Sequence, residues 1–301
     1  MNAPPIEWNR SPDTSTIELA LRQGVRALLA HSGSPQLDAE VLLSTVLGVE
    51  RSALIARGAC PLADDALRTY RDLIEQRRSG MPVAYLTGVR EFWSLPLKVT
   101  PAVLVPRPET ELLVEQALEL LVGGSAAVLD LGTGSGAIAL AVASERRDAR
   151  VVGVDISEAA IRVARDNAEA LGLAHIEWRV GSWFAAVAEE RFDVILSNPP
   201  YIRARDAALA SLQAEPAMAL IGGPTGLEQL SSIIAAAASH LNPGGWLLTE
   251  HGADQAGAVA ALFERQHFQD IRSLEDYSGR PRLTRGQLRG PSPPPLNQES
   301  P

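Results

Sequence analysis

Val128-Leu129-Asp130-Leu131-Gly132-Thr133-Gly134-Ser135-Gly136 joins a short apolar run to a glycine-rich turn. The run reads as a buried strand, and Ala137 to Ala143 continues as a helix of small and apolar residues. Arg150-Val151-Val152-Gly153-Val154-Asp155 is then a second strand that ends in an acid. Glycine lets the backbone turn tightly and lets a ligand approach with no Cβ in the way. The helix start adds unpaired N–H groups beside the turn. An acid about twenty positions further on is placed to accept hydrogen bonds from a ribose. A strand, turn, helix, strand and acid in this order therefore mark a nucleoside-cofactor site in an α/β fold.

The alternation continues to the end of the chain. Strands are expected near 127–131, 150–154, 176–180, 192–197, 244–250, 268–274 and 281–287, and helices near 136–145, 158–170, 226–241 and 253–266. That is the pattern of a doubly wound, mostly parallel sheet. A ligand then belongs beyond the carboxyl ends of the first strands, at the topological switch point. Ahead of the sheet, residues 1–14 carry Pro4, Pro5 and Pro12 without periodicity and read as a loose arm. Residues 15–80 read as a small helical domain: 17–29, a helix opened by Ser34-Pro35 as N-cap and first position, and 66–77. Residues 81–107, with alternating apolar positions and Pro96, Pro101 and Pro106, read as a β-hairpin linker. Arg107-Pro108-Glu109-Thr110 opens a helix that ends near Val122-Gly123-Gly124. The sheet domain spans 108–289, and the Pro- and Ser-rich tail 290–301 is expected to be disordered.

A second motif closes the apolar run Asp193-Val194-Ile195-Leu196-Ser197: Asn198-Pro199-Pro200-Tyr201. Asn offers one amide carbonyl and two N–H donors. Each Pro fixes φ and removes a donor, leaving bare carbonyl acceptors. Tyr adds a flat face for stacking. The four suit an –NH2 group on a planar carrier, either a side-chain amide or the exocyclic amine of a base. An ordinary loop is the alternative, since Asn and Pro are common in turns.

Gly132, Gly134 and Ala137 also fit the dinucleotide fingerprint with Ala in its third place. The leading Asp130 and the added Gly136 instead resemble the S-adenosylmethionine loop of class I methyltransferases. The resemblance implies that Asp130, Gly132, Thr133, Gly134, Ser135 and Gly136 surround the methionine part, that Asp155 binds the ribose, and that Asn198–Tyr201 is the motif of enzymes methylating a planar nitrogen. Leu86 to Leu97 and Leu104-Val105-Pro106-Arg107-Pro108-Glu109-Thr110-Glu111 look like the linker and helix start of the peptide-chain release factor glutamine methyltransferases. With Ser182-Trp183-Phe184 and Glu250-His251-Gly252, the likeness spans roughly residues 16–289. It implies methyl transfer from S-adenosylmethionine to the Gln side chain in the Gly-Gly-Gln loop of class 1 release factors, and gives the helical domain a role in substrate recognition. It also implies that Trp183 lies at the cofactor and that Asn198 serves both cofactor and substrate. Ser182 departs from the Asp that many relatives carry at the adenine, and Gln213-Ala214 stands before Glu215-Pro216 where relatives usually have an aromatic residue.

The chemistry sets the roles. An amide nitrogen is a poor nucleophile, because its lone pair is delocalised into the carbonyl. Holding it in line with the methyl group, at roughly 3 Å, is worth about 7–11 kcal/mol. The Asn198 side-chain oxygen and the Pro199 carbonyl are the expected acceptors for the –NH2 hydrogens, with Pro200 and Tyr201 flanking the amide plane. No strong base is needed, since the nitrogen becomes very acidic once methylated, and His251 is expected behind the site at a strand end. Phe92 and Trp93 either line the pocket or pack the hairpin on the sheet. Arg107, Glu109 and Thr110 lie beside the site, with helix capping as the alternative for the last two.

Charge and cysteine content narrow the classes. The chain has 301 residues, with 27 basic and 36 acidic, for a net charge of −9. Phosphate neutralisation dominates nucleic-acid affinity, so direct nucleic-acid binding is not expected. Gly88-Val89-Arg90 and Arg77-Arg78 are the candidate basic patches. Cys60 is the single cysteine, so no disulfide forms within the chain. No signal peptide or membrane-length apolar run is visible, and the expected location is the cytoplasm. No metal is expected. The competing classes are a nucleic-acid amine N-methyltransferase acting on adenine or guanine, a non-catalytic cofactor-binding protein, and a nucleotide-dependent oxidoreductase.

Overall fold

The computed structural model describes residues 15–121 and 123–290. The expected arm at 1–14 lies outside the described residues, as does the expected tail apart from Gly290. The chain divides into two compact units, one reaching Val89 together with Ser211–Ala214, the other formed by Arg90–Ala210 and the chain from Glu215.

The first unit is helical: α1 (Ile17–Leu28), α2 (Pro35–Leu47), α3 (Arg51–Ala56), α4 (Asp64–Arg78) and α5 (Val83–Thr87). Thr16 caps α1 by accepting from Leu19 N at 3.3 Å. Leu28, Leu42, Leu43, Tyr70 and Ile74 form its core, all fully buried. Ser34 precedes α2, but its hydroxyl does not cap the helix; it donates to Asp38 Oδ1 at 3.0 Å. Asp38 also accepts from Ser32 at 2.6 Å and from Arg77 Nε at 2.7 Å. Arg77, a candidate for a basic patch, is thus committed to a nearly buried acid. Two helices were not expected. α3 has six residues and α5 five, less than two turns each, so a 3.6-residue period has no length in which to show. α5 also replaces the start of the expected hairpin linker.

The hairpin itself is β1 (Val89–Phe92) and β2 (Leu95–Lys98). Trp93 and Ser94 between them both have positive φ, 52° and 58°. Two-residue hairpin turns demand this mirror-image geometry, which Asn-Gly usually supplies. Here side-chain anchors hold it: Trp93 N donates to Glu111 at 2.8 Å and its indole N–H to Glu145 at 2.8 Å. Phe92 is buried in the core beside the next helix. Both aromatics therefore serve packing, and neither lines the cavity at the switch point.

A short 3-10 turn (Pro108–Thr110) leads into α6 (Glu111–Leu120), which stops two residues before the expected end. Then come β3 (Ala127–Leu131), α7 (Ala137–Glu145), β4 (Arg150–Asp155), α8 (Glu158–Ala170), β5 (Glu177–Val180), β6 (Phe192–Ser197), a pair of short strands β7 (Ile202–Arg203) and β8 (Ile221–Gly223), α9 (Glu228–His240), β9 (Leu241–Glu250), α10 (Ala256–Arg265), β10 (Gln269–Glu275) and β11 (Pro281–Gln287). The large sheet has seven strands in the order β10-β11-β9-β6-β3-β4-β5. The five from β9 to β5 run parallel; β11 pairs antiparallel with β9, and β10 antiparallel with β11, so β11 alone runs against the others. The doubly wound sheet is therefore present as expected.

Strands covered on both faces read as continuous apolar runs. β3 shows why: Val128 faces a core built with α6 and α7, while Leu129 and Leu131 face a second core built with α9 and α10. Gly153 sits mid-strand in β4 because the Trp178 ring lies over it; a Cβ there would stand 2.4 Å from the ring. β9 begins three residues before the expected strand. Asn242-Pro243-Gly244-Gly245 reads as a turn, but Gly244 at φ 82° and a bulge opposite β6 carry the strand through it.

The chain leaves β3 toward β4 and β5 on one side, and β6 toward β9 on the other. The carboxyl ends of β3 and β6 are thus the switch point where a crevice opens. Leu131 and Ser197 face each other across these strands, and the Ser197 hydroxyl donates to Leu131 O at 2.8 Å. The glycine-rich turn and the Asn-Pro-Pro-Tyr corner leave from these two neighbouring ends.

Candidate active site

The turn after β3 is built from glycines in the left-handed region: Gly132 at φ 73°, Gly134 at 57° and Gly136 at 84°. A side chain at any of them would be strained. Gly132 N and Thr133 N donate to Val154 O at 2.8 and 3.0 Å, which ties the turn to β4. Below it, Asp130 Oδ2 accepts from the Thr133 hydroxyl at 2.5 Å and from Ala139 N at 3.3 Å. Asp130 is fully buried, and its Oδ1 has no hydrogen-bond partner among the described residues. Burial pushes its carboxyl up to about 7, against the opposing pull of the Thr133 and Ala139 hydrogen bonds. Asp155, at the end of β4, accepts from Gly134 N at 2.9 Å and Ser157 N at 2.8 Å. Burial raises its pKa all the same.

The Asp130 shift has a measurable consequence. Its folded-state pKa lies above the unfolded value, so the folded protein holds this proton more tightly. Its contribution to stability is complete below the unfolded pKa and is lost as pH rises toward about 7. Asp130→Asn keeps an acceptor for Thr133 and cannot ionise. Urea denaturation at pH 4.5 and pH 8 is expected to show the wild type losing stability relative to Asp130→Asn across that range. A constant difference between the two proteins would contradict this.

The second motif turns away from β6 on a hydrogen-bonded frame. Asn198 Nδ2 donates to Thr110 Oγ1 at 3.0 Å, and Thr110 donates to Glu250 Oε2 at 2.7 Å. The Tyr201 hydroxyl donates to Glu250 Oε1 at 3.2 Å. Glu250, at the end of β9, is 2% exposed. Burial pushes its carboxyl up to about 7, opposed by Thr110, Arg282 and Tyr201. Burial first, and the Glu250 charge second, raise the Tyr201 phenol. Thr110 precedes α6 but makes no side-chain cap, so its hydroxyl belongs to this frame rather than to the helix. Arg107 is tied elsewhere: it meets Glu215 at 2.5 Å, and the same carboxylate accepts from Val105 N at 3.0 Å.

A cavity of about 430 Å³ lies at the switch point, within the size range of small-molecule sites. Of the residues singled out in the sequence, Gly132, Gly134, Asp155, Trp183, Asn198 and Pro200 line it, as does Ser182. Asp130, Thr133, Ser135, Gly136, Pro199 and Tyr201 do not. Asp130 and Thr133 brace the turn from beneath, and Ser135 O accepts from Asn167 Nδ2 at 2.9 Å. The expected stacking face of Tyr201 is packed against the α9 side of the core, and its backbone carbonyl accepts from Gln255 at 3.0 Å. Trp183 stands at φ 47° and donates its indole N–H to Gln229 at 3.2 Å. His251 is buried behind the wall, bonded to Thr284 at 2.8 Å and to Gly252 O at 2.9 Å. Burial lowers its pKa, so it is held neutral.

Two domain models match the chain, a PrmC N-terminal domain at residues 20–88 and a methyltransferase domain at residues 124–277. Curated relatives match across nearly their whole length. The release factor glutamine methyltransferase of Salmonella typhimurium is 47% identical over 262 residues, covering 86% of this chain and 95% of that protein. The protein of the same name from Xylella fastidiosa (strain Temecula1) is 48% identical, covering 85% and 94%. That of Escherichia coli (strain K12) is 44% identical, covering 89% and 97%. The chain belongs to the release factor glutamine methyltransferase family.

A methyltransferase of this family uses S-adenosylmethionine, and the residues present suit that group. Asp130 is buried beneath the turn, with one oxygen unpartnered among the described residues, and shapes the cavity floor through the turn rather than by lining it. The Asp155 carboxylate faces the cavity with lone pairs to spare for ribose hydroxyls. Ile156 and Met218 line the same cavity at 60% and 58% exposure, apolar surface available to a planar base. Sequence reasoning missed Ile156, Met218 and the Ala102–Leu104 wall. All three sit in loops or just past strand ends, where no period marks an inward face. Among the described residues no helix is long and apolar enough to cross a membrane.

Proposed function

We propose that this chain methylates the side-chain amide nitrogen of the glutamine in the Gly-Gly-Gln loop of class 1 release factors. The reading rests on one observation above others: the Asn198 amide stands on the wall of the same cavity as the turn after β3. The names of the relatives support the choice of substrate. Bound S-adenosylmethionine supplies an electrophilic methyl group on a sulfonium centre.

The residues of the chain supply position rather than acid–base chemistry. Asp155 holds the ribose, and the glycines of the turn let the ligand lie against bare backbone. Asn198 receives an N–H of the substrate amide on its side-chain oxygen, which fixes the nitrogen and pushes electron density toward it. The Pro199 carbonyl is the candidate second acceptor. Pro200 and Trp183 bound the cavity with rigid apolar surface. No general base is assigned. His251 is engaged at both nitrogens, and both oxygens of Glu250 accept hydroxyls. The methylated nitrogen sheds its proton to solvent. The N-terminal helical unit is assigned to release-factor recognition.

The test is direct. The purified protein is incubated with isotope-labelled S-adenosylmethionine and either recombinant release factor or total RNA, and the label is located by mass spectrometry. Label on the Gly-Gly-Gln glutamine is expected. Label on RNA with none on the glutamine would overturn the reading in favour of a nucleic-acid amine methyltransferase.

A further inference from the structure

Behind the Asn198 corner, three segments far apart in the chain converge on one buried carboxylate. Thr110 comes from the start of α6, Glu250 from the end of β9, and Asn198 and Tyr201 from the end of β6. Their hydrogen bonds have a direction that proton counting decides. A hydroxyl has one proton, and Glu250, once ionised above pH about 7, can only accept. Thr110 lies 2.7 Å from Glu250 Oε2, so in that state its proton is committed there. The Thr110 oxygen then has only lone pairs to offer, and the Asn198 atom 3.0 Å away is the N–H2 nitrogen.

This matters because the two ends of an amide have nearly the same shape, and their assignment follows from the hydrogen bonds around them. With the nitrogen turned to Thr110, which is not on the cavity wall, the Asn198 oxygen is turned away from Thr110. A reversed amide would present donors to a substrate –NH2, which also donates, and no hydrogen bond could form. Thr110 gives up its place as a helix cap to take part, and Glu250 is buried with both oxygens receiving hydroxyl protons.

We infer that Glu250, acting through Thr110, is a positioning residue that sets the Asn198 amide with its oxygen toward the cavity, as an acceptor for the N–H of a carboxamide substrate. The inference rests on the proposed function, since it needs a substrate that donates from nitrogen. Neither residue touches the reacting atoms. The same carboxylate holds the Tyr201 hydroxyl, so it braces both ends of the Asn-Pro-Pro-Tyr corner.

The test measures kcat, the KM for release factor, and the dissociation constant for S-adenosylmethionine in three variants. Thr110→Val keeps the shape and removes the acceptor that orients Asn198. Its kcat is expected to fall on the order of 10²-fold, the scale of one lost oriented polar contact at a reacting group, with cofactor affinity and KM within about threefold. Thr110→Ser restores the hydroxyl and is expected to return kcat to within about threefold of wild type. Glu250→Gln cannot accept from both hydroxyls through its nitrogen arm, and kcat is expected to fall at least about tenfold. Wild-type kcat in Thr110→Val overturns the inference. So does failure of Thr110→Ser to rescue, or loss of cofactor affinity in step with kcat in Glu250→Gln, which would mean a purely structural role. If Thr110→Val does not fold, Thr110→Ser and Glu250→Gln decide. The wild-type control separates the two levels: no label on the release-factor glutamine overturns the proposed function, whereas wild-type labelling with an unaffected Thr110→Val overturns only the positioning role.

Discussion

Asn198→Ala is expected to lower kcat by two orders of magnitude or more while leaving the S-adenosylmethionine dissociation constant within a few-fold of wild type. The amide is the one side chain of the corner that lines the cavity and can accept a substrate N–H. Truncating it leaves the backbone corner in place, because Pro199 and Pro200 fix their own φ. It removes the contact that holds a weak nucleophile in register, and positioning is where such a reaction gains most, up to about 7–11 kcal/mol for a fully oriented pair. Single oriented polar groups at reacting centres account for roughly 10²–10³ in kcat. The cost to folding is small by comparison. Thr110 loses one donor at 3.0 Å while keeping its bond to Glu250, which is worth on the order of 1 kcal/mol. Steady-state kinetics on release factor, with calorimetric titration of the cofactor, checks both halves. Equal losses in turnover and cofactor binding would show that the residue holds the fold instead.

Asp155→Ala should have the opposite signature. Hydrogen bonds to a charged partner contribute about 1.5–3 kcal/mol each, so removing the carboxylate is expected to weaken cofactor binding on the order of 10²-fold. Part of that loss is indirect. Asp155 also accepts from Gly134 N and Ser157 N, and its removal loosens the turn that the ligand would lie on. At saturating cofactor, kcat should return to near the wild-type value, because Asp155 is on the far side of the turn from the Asn198 corner. Isothermal titration supplies the first number and kinetics at high cofactor the second. An unchanged dissociation constant would remove Asp155 from the cofactor site.

The parts of this architecture legible in the sequence are those whose signal is local. β3, β4 and β6 stood out because burial on both faces makes them near-continuous apolar runs. The turn stood out because left-handed φ at 132, 134 and 136 calls for glycine. α3 and α5 were not legible, being shorter than two turns. The start of β9 was masked by turn-forming residues that in fact carry a bulge. Tyr201 was read for its flat face, but a buried phenol needs a partner for its hydroxyl. It finds Glu250, which draws the ring into the wall rather than across the cavity. The Thr110–Glu250 bond joins residues 140 positions apart. Only the sheet order, which lays β9 beside β6, brings it behind the corner. In the sequence Thr110 stood between a place beside the site and a helix cap, because its tertiary partner lies 140 residues away.

The most direct test is a crystal structure with S-adenosylhomocysteine and a Gly-Gly-Gln peptide bound together. The expected result is the glutamine side-chain nitrogen within hydrogen-bond reach of Asn198 Oδ1, with the amide nitrogen of Asn198 still on Thr110. A glutamine seated in the cavity with Asn198 pointing elsewhere, or presenting its own N–H2 to the substrate, would contradict the account.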